Sequence, residues 1–468
     1  MDRALILTTS SIFDRAVESP PAGPLTMVGG LSLFQRTVLT LQRAGISRFM
    51  VLGGDQIELL EHQLHGDPRL TAEVRWLPVR EFPVSDPRTW EILSGMLGGS
   101  YLVSGSTAIF PVSLIARLRE EALKGETIVV TRSEVYMPQA MLRQPRSLAL
   151  PLDPGGEGGA VSLSSGGTGV VTLEAGVSGS LNLGLAWMTE HFTSVGWATA
   201  HDHPHPLQAA LERGIRQGQV KVLPLGDDWY QEVRRGGPGT ADAHESVAQA
   251  ERTLLRSLKG GLEGFVDRYF NRKCSPWLTQ WLLQTPLTPN AITVLATLVG
   301  LLAAVAFGHG GYAAGILGAV LFQLSAILDC CDGEVARLKF LESPFGEQLD
   351  VALDNVVHIA IFAGMAWATY HTDWGRWALL LGGLAIFGNI AAFGVVQRAM
   401  RIRGRLDDVR RALVDGILNR LASRDFSVVI LVLALIGHLD WFLLLAAIGS
   451  NVFWPVLAWQ LRVPTASR

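Results

Sequence analysis

The stretch AITVLATLVGLLAAVAFG (residues 291–308) is followed, after two residues, by GYAAGILGAVLFQLSAIL (residues 311–328), and neither contains a charged residue. Each approaches the ~20 residues that an α-helix needs to cross a bilayer. Four more apolar segments follow at 351–370, 376–397, 426–439 and 441–461. Only Asp440 separates the last two, so the fifth span should begin before Phe426. We therefore predict six membrane helices.

The composition of the whole chain agrees with a membrane protein. Its 468 residues are 49% hydrophobic and only 17% charged, against roughly 25% charged in soluble domains. A net charge of −3 provides no basic field for nucleic acid, so no nucleic-acid partner is expected. The three cysteines, two of them adjacent, do not form a disulfide framework. The N-terminus turns polar by Ser10 and lacks the features of a secretory signal.

The residues before the membrane segments predict a soluble α/β domain. Short apolar runs at 3–8, 48–53, 73–77 and 100–104 alternate with helical patterns at 33–45 and 57–64, which favours a mostly parallel sheet. A Gly/Ser-rich stretch at 154–169 predicts a surface loop or hairpin insertion. We assign 1–240 to this α/β domain, 241–285 to a connector ending in an interfacial helix, and 286–468 to an all-α six-helix transmembrane domain.

Arginines in the connections between the spans predict the orientation. The link from helix 4 to helix 5, residues 398–424, contains eight arginines, whereas 309–311, 371–376 and 438–440 together contain one. By the positive-inside rule, both termini and the arginine-rich links should be cytoplasmic, in a bacterial or archaeal inner membrane. The same arginines could instead attract anionic headgroups and a phosphorylated acceptor.

Four aspartates lie around the second and third spans. Asp329 and Asp332 are three residues apart, and Asp350 and Asp354 are four apart, so each pair shares a helical face. If the two helices pack antiparallel, the four carboxylates converge and repel each other unless a cation neutralises them. Hard oxygen ligands without His or Cys indicate Mg²⁺ or Mn²⁺, and two such ions suit displacement at phosphorus.

Smaller residues beside these aspartates indicate a nucleotide site. Gly333, Ala336 and Gly346 remove side-chain bulk where a nucleotide would approach, and Arg337 can pair with a phosphate oxygen. Asp354 is the candidate general base for an acceptor hydroxyl.

The complete pattern, D-x2-D-G-x2-A-R-x8-G-x3-D-x3-D from Asp329 to Asp354, matches the signature of the CDP-alcohol phosphotransferase family at every fixed position. The resemblance covers about 265–461 and includes PLTPNAIT (286–293). It implies transfer of a phospho-alcohol group from a CDP-linked donor to an acceptor hydroxyl, release of CMP, and homodimers in the lipid bilayer. Asp354 would then be the base beside two bound ions. The residues that the resemblance implies as metal ligands are Asp329, Asp332, Asp350 and Asp354. Those implied for CDP binding are Asp329, Gly333, Ala336, Arg337, Gly346 and Asn290.

The soluble half resembles sugar-phosphate nucleotidyltransferases through residues 21–54. With the joint VDRYFNRKCSPWLTQWL (266–282) and RLASRDFSVV (420–429), the whole chain resembles fused inositol-1-phosphate cytidylyltransferase/di-myo-inositol-phosphate-phosphate synthase proteins. The catalytic pattern departs from that family. TTSSI (8–12) replaces the glycine-rich phosphate loop, Gly23 replaces a lysine, Gly105 replaces a metal-binding aspartate, and WYQEVRRGG stands near 228–236 where Asp-Val-Asp is expected. Cytidylyl transfer should therefore be lost.

Several alternatives stay open. The donor is CDP-diacylglycerol or CDP-inositol, and the acceptor a polyol such as inositol phosphate, with Arg424 as its candidate ligand. His201, His203 and His205 alternate, but the neighbouring prolines favour a loop over a metal site. His358 would tune the base or simply be hydrogen-bonded, and Cys330 and Cys331 should be packing residues. The rival functions are an inactive membrane scaffold with a ligand-binding soluble domain, and a transporter.

Overall fold

The computed structural model describes residues 2–8, 22–83, 86–125, 127–131, 147–150, 161–164, 185–189, 210–211, 213–214, 217, 219–225, 227–233, 242–258, 272–402 and 425–462. The chain divides into two compact units, Met1–Thr253 and Leu254–Arg468. The first is α/β and the second all-α.

The first unit is built on a seven-stranded sheet. Among the described residues, the sheet strands are β1 (Arg3–Leu7), β4 (Arg48–Gly53), β5 (Glu73–Pro78), β6 (Tyr101–Gly105), β8 (Thr127–Thr131), β11 (Leu185–Met188) and β12 (Val220–Pro224), and the helices around it include α1 (Leu33–Arg43), α2 (Ile57–Leu64), α3 (Pro87–Leu97) and α4 (Val112–Ala122). The strand order is β12-β8-β11-β6-β1-β4-β5. Four predicted strands lie in the sheet within a residue of their predicted bounds, and α1 and α2 also form where predicted.

One strand interrupts the parallel order of this sheet. β11 runs antiparallel to both β6 and β8, whereas the other described pairs in the sheet are parallel. The remaining strands form three short antiparallel pairs. They are β2 (Met27–Val28) with β3 (Leu31–Ser32), β7 (Ala108–Ile109) with β13 (Gln231–Glu232), and β9 (Ser147–Leu150) with β10 (Val161–Ser164). Because β10 lies within the predicted Gly/Ser-rich insertion, that stretch includes one arm of a hairpin.

Buried apolar side chains of the sheet and helices form the core of the first unit. Ile6 and Val51, paired across β1 and β4, pack with Phe34 of α1, Leu114 of α4 and Trp187 of β11. These five side chains are almost wholly buried, and removal of the core's apolar side chains from water stabilises the unit.

A further helix, α5 (Asp242–Ser257), falls within the predicted connector. Its Glu251 carboxylate accepts a hydrogen bond from the Gly29 N–H at 3.0 Å. Its Thr253 hydroxyl donates to Gln231 at 2.6 Å. These contacts attach most of α5 to the α/β unit, so that unit extends to Thr253 rather than to the predicted 240.

The second unit contains the predicted spans as helices. In the described part of this unit the helices are α6 (Arg272–Leu283), α7 (Pro289–His309), α8 (Tyr312–Leu338), α9 (Pro344–Tyr370), α10 (Arg376–Ile402), α11 (Asp425–Leu435) and α12 (Leu439–Arg462). Five of the predicted spans are long and apolar enough to cross a membrane, and the described part of the sixth, α11, is short.

Two helix boundaries differ from the hydropathy prediction. α8 runs ten residues past the predicted end at 328, and α9 begins before the predicted start at 351. Polar residues end the apolar run but do not break backbone hydrogen bonding, so the helices continue through the aspartates. Asp440 is not the joint between the last two helices. That joint is the turn around Gly437, whose φ is +77°, and Asp440 lies in the first turn of α12.

The outer surfaces of these helices are apolar. Val305, Leu302, Phe387, Ile448 and Val452 are all more than half exposed. Such a continuous apolar surface is unfavourable in water and matches the lipid interior.

Candidate metal and nucleotide site

A short connection returns the chain from α8 to α9. At the end of α8 the Leu341 N–H bonds to the Ala336 carbonyl at 2.8 Å, and Phe340 N–H to the Arg337 carbonyl at 3.4 Å. Phe340 has φ +56°, so these bonds form a Schellman ending with phenylalanine at the left-handed position that usually holds glycine. The Ser343 hydroxyl then accepts from the Gly346 N–H at 3.0 Å and begins α9. Both α8 and α9 pack against α7, and the reversal brings the two aspartate pairs to the same end of the bundle.

Three of the four aspartates come together. Asp329 and Asp332 of α8 and Asp350 of α9 each place a carboxylate oxygen within 4.8 Å of the others. Asp332 is 6% exposed, and the other two are half-buried. Asp354 lies one helical turn beyond Asp350 and is outside this group of mutually close oxygens.

A residue of α7 holds Asp332 in place. The Thr293 hydroxyl donates to Asp332 Oδ2 at 2.6 Å. Thr293 lies one turn into α7, which begins at the Thr288 cap and Pro289. The segment PLTPNAIT (286–293) predicted the start of this helix, but the sequence pattern gave no role to Thr293. A threonine three residues after Asn290, on the same helical face, was the available signal.

A cavity of about 510 Å³ adjoins the aspartates. Seven of the nine residues predicted for the metal and CDP sites line it, and Asp329 and Asp354 are not among its lining residues. The seven are Asn290, Asp332, Gly333, Ala336, Arg337, Gly346 and Asp350. The carboxylates of Glu342 and Glu347 also line the cavity, so its wall carries more negative than positive charge.

The two site glycines leave space for different reasons. A Cβ at Gly333 would lie 3.5 Å from the Arg337 guanidinium, and glycine keeps the space beside that group open. A Cβ at Gly346 would lie 3.0 Å from the Asn290 side-chain oxygen and 3.1 Å from Ser343 Oγ. Gly346 therefore permits the close approach of α9 to the start of α7. Both glycines lie where a nucleotide was predicted to approach.

Other predicted residues have different surroundings. The His358 ring packs against Phe426 at 5.1 Å and Phe322 at 6.3 Å between ring centroids. Cys331 is fully buried and Cys330 half-buried. Arg424 and the histidines 201, 203 and 205 lie outside the described residues.

Two regions of the soluble unit that differ from the expected catalytic pattern, at Gly105 and near Asp228, lie among the described residues. At the carboxyl end of β6, the Ser104 hydroxyl bonds to the Gly105 carbonyl, and Ser106 is fully buried. Asp228, near the expected acidic motif, pairs with Arg117 at 3.1 Å and accepts from Ser113 at 2.6 Å. Its carboxylate is thus engaged by neighbouring side chains.

Comparisons with known proteins identify similar sequences. Residues 286–453 match the CDP-alcohol phosphatidyltransferase family. The chain is 34% identical over 162 residues to an archaetidylinositol phosphate synthase of Methanothermobacter thermautotrophicus, covering 33% of this chain and 74% of that protein. It is 23% identical over 431 residues to a bifunctional IPC transferase and DIPP synthase of Aquifex aeolicus, covering 92% of this chain and 90% of that protein.

Among solved structures, the inositol-1-phosphate CTP transferase from T. maritima is similar to this chain, and the alignment covers 54% of this chain and 96% of the chain of that structure. The identity is 16% and the TM-score 0.33. At these values the alignment assigns no role to any residue.

Proposed function

The chain belongs to the CDP-alcohol phosphatidyltransferase family, and from this premise we propose that it transfers a phospho-alcohol group from a CDP-linked donor to a hydroxyl of a polyol acceptor such as inositol phosphate, releasing CMP. The family and the five long apolar helices make it an integral membrane protein. The observation that carries the proposal is the group of three aspartate oxygens within 4.8 Å, next to a cavity that Arg337 also lines.

The donor set fits a hard divalent cation. Three carboxylate oxygens lie within 4.8 Å of one another, and oxygen donors of this kind are the ligands that Mg²⁺ and similar hard cations prefer. The four carboxylates that line the cavity face one arginine, so a phosphate would be repelled without added positive charge. Asp329, Asp332 and Asp350 would hold Mg²⁺ or Mn²⁺, with Asp354 as the candidate further ligand of a second ion. When bound, such ions would stabilise negative charge on the attacking and leaving oxygens.

The side chains around the site have separate roles in the proposed reaction. Arg337 would bind a phosphate oxygen of the donor, next to the space that Gly333 leaves. Asp354 would accept the proton of the acceptor hydroxyl as its oxygen bonds to the β-phosphorus. The bond from that phosphorus to the bridging oxygen then breaks, and CMP leaves with its electron pair.

Two donors are compatible with this chemistry. CDP-diacylglycerol would yield a phospholipid, and CDP-inositol a soluble phosphodiester. Similarity to an archaetidylinositol phosphate synthase over 74% of that protein supports a lipid donor, and lower similarity along nearly the whole chain to a bifunctional IPC transferase and DIPP synthase supports the other. We include in the proposal Arg424 as an acceptor ligand, a cytoplasmic site with cytoplasmic termini, and a homodimer.

The test is CMP release by the full chain purified in detergent with Mg²⁺. CDP-diacylglycerol and CDP-inositol are offered separately, each with inositol phosphate as acceptor. Asp354→Asn should lower kcat by about 100-fold or more, as loss of a general base does. Asp373→Asn, the same chemical change at the other end of the bundle, should leave the rate unchanged. Turnover retained by Asp354→Asn would exclude Asp354 as the base, and no CMP from either donor would refute the proposed function.

For the soluble half we propose that cytidylyl transfer is lost, because Gly105 stands at the expected metal-binding position and Asp228 is paired with Arg117. Incubation of the full chain with CTP, Mg²⁺ and inositol 1-phosphate should release no pyrophosphate above the level without enzyme. Enzyme-dependent pyrophosphate release would show that this half is still catalytic.

A further inference from the structure

A further carboxylate, which is buried, lies near the site and has no part in the mechanism above. Glu334 of α8 is 4% exposed. Ser275 Oγ donates to its Oε1 at 2.8 Å, and Thr279 Oγ1 donates to its Oε2 at 2.6 Å. Both hydroxyl residues are fully buried and lie four apart on one face of α6. Each oxygen of the carboxylate thus binds a hydroxyl of the same neighbouring helix.

Two more contacts join α6 and the residues following it to α8. The Cys331 thiol lies 3.7 Å from the Ser275 carbonyl oxygen, one turn before Glu334. The Lys339 ammonium donates to the Thr285 carbonyl at 3.0 Å, just beyond the end of α8. The attachment therefore extends along the whole segment of α8 that provides Asp332, Gly333 and Arg337.

The opposite face of α6 is exposed and carries two tryptophans. Trp277 and Trp281 are 77% and 61% exposed, again four residues apart. Tryptophans exposed on an amphipathic helix beside membrane spans are typical of the headgroup region. α6 thus presents tryptophan to the bilayer surface and hydroxyls to Glu334.

Together these contacts fix the rotation of α8 about its axis. Asp332 bonds to Thr293 of α7, and Glu334 bonds to α6. Because residues two apart point about 200° apart around a helix, the two carboxylates are attached on nearly opposite sides. A rotation of ~10° would move a carboxylate some 5–6 Å from the axis by about 1 Å, whereas metal sites tolerate only about 0.2 Å.

We propose that Glu334 is a positioning residue which, through Ser275 and Thr279, ties the interfacial helix to α8 and thereby sets the divalent-cation affinity of Asp329, Asp332 and Asp350. The inference rests on the proposed function in one respect, namely that these aspartates hold a metal ion. The proposal gives a role to Glu334, which does not touch the ion, and it makes the interfacial helix α6 part of the support of the metal site.

The experiment measures Mn²⁺ binding by the full chain in detergent, from the loss of the free-ion signal in electron paramagnetic resonance, without substrate. The double variant Ser275→Ala with Thr279→Val removes both hydrogen bonds and should weaken Mn²⁺ binding about 10-fold, the lower end of the usual cost of losing an outer-shell partner, because neither hydroxyl bonds to a metal ligand directly. Thr279→Ser keeps the hydroxyl and should bind within about twofold of the wild type. Thr279→Val alone should give an intermediate loss and serves if the double variant does not fold.

Folding is followed in parallel by circular dichroism and size-exclusion chromatography. A variant that is folded, lacks the hydrogen bonds and binds Mn²⁺ as tightly as the wild type would overturn the inference, even if its Tm is lower. An equal loss in Thr279→Ser would also overturn it, because the hydroxyl would then not be the cause. Failure of the proposed function looks different, since Mn²⁺ binding would then be absent in the wild type or unaffected by Asp332→Asn.

Discussion

Replacement of Thr293 by valine tests the role of the hydrogen bond to Asp332 with almost no change of volume. The hydroxyl donates to Asp332 Oδ2 at 2.6 Å, and the carboxylate is only 6% exposed, so water cannot readily replace the lost donor. Loss of an outer-shell partner that holds a metal ligand in position typically weakens metal binding about 10- to 100-fold, which is about 1.4–2.8 kcal/mol. We therefore expect Mn²⁺ binding to weaken by about 10- to 100-fold.

The chain provides a matched control for this experiment one turn further along α7. Thr297 is also buried, but its hydroxyl donates to the Thr293 backbone carbonyl at 2.9 Å. Thr297→Val removes the same group from the same helix without touching a carboxylate, so Mn²⁺ binding should stay within about twofold of the wild type. The assay is Mn²⁺ titration of each purified variant, with Thr293→Ser expected to restore binding. Equal losses in the two valine variants, or none in Thr293→Val, would refute the assigned role of Thr293.

Two further predictions concern packing and pH. A Cβ at Gly364 of α9 would collide with the Ala304 carbonyl oxygen of α7. Because a helical backbone cannot move aside, Gly364→Ala should lower the free energy of unfolding by about 1–3 kcal/mol through overpacking. The measurement is the Tm in detergent, which should fall. Gly383→Ala, where a Cβ would meet open space, should not lower it. In the α/β unit burial acts to raise the pKa of Asp67, but hydrogen bonds from the Arg69 side chain and backbone outweigh it and lower that pKa. The Asp67–Arg69 pair therefore stabilises the folded state at pH values above the pKa that Asp67 has in the unfolded chain. This stabilisation is lost as the pH falls through the lowered pKa of Asp67 in the folded state. Asp67→Asn should destabilise the loop by about 1–2 kcal/mol at pH 7 and progressively less in acid, measured by amide hydrogen exchange. A constant difference across that range would contradict the assigned ion pair.

Much of the fold could be predicted because it depends on patterns along the chain. Apolar runs near the length of a bilayer span predicted the membrane helices, and alternating strand and helix patterns predicted the parallel strands β1, β4, β5 and β6. The antiparallel β11 was not predicted, since strand direction depends on how the chain returns to the sheet. The ends of α8 and α9 were misplaced because hydropathy falls at the aspartates while helical hydrogen bonding continues.

The aspartate pairs were also predictable from spacing. Residues three or four apart share a helical face whatever surrounds them, so Asp329 with Asp332, and Asp350 with Asp354, follow from the sequence once the helices are known. That Asp350 lies within 4.8 Å of the first pair depends on the turn at Phe340, where a phenylalanine adopts the left-handed conformation usually taken by glycine. No local pattern marks that residue as a helix end.

The sequence by itself determined that the chain has an α/β half and a membrane half, and it picked out four aspartates, three of which lie together in the candidate metal site. Only the tertiary structure decided which side chains hold Asp332 and the nearby Glu334, namely Thr293 on Asp332, and Ser275 and Thr279 on Glu334. The physical reason is that hydropathy and helical periodicity arise between neighbours in the chain. A hydrogen bond between helices depends instead on the rotation and depth at which the two helices pack, which their sequence spacing does not encode.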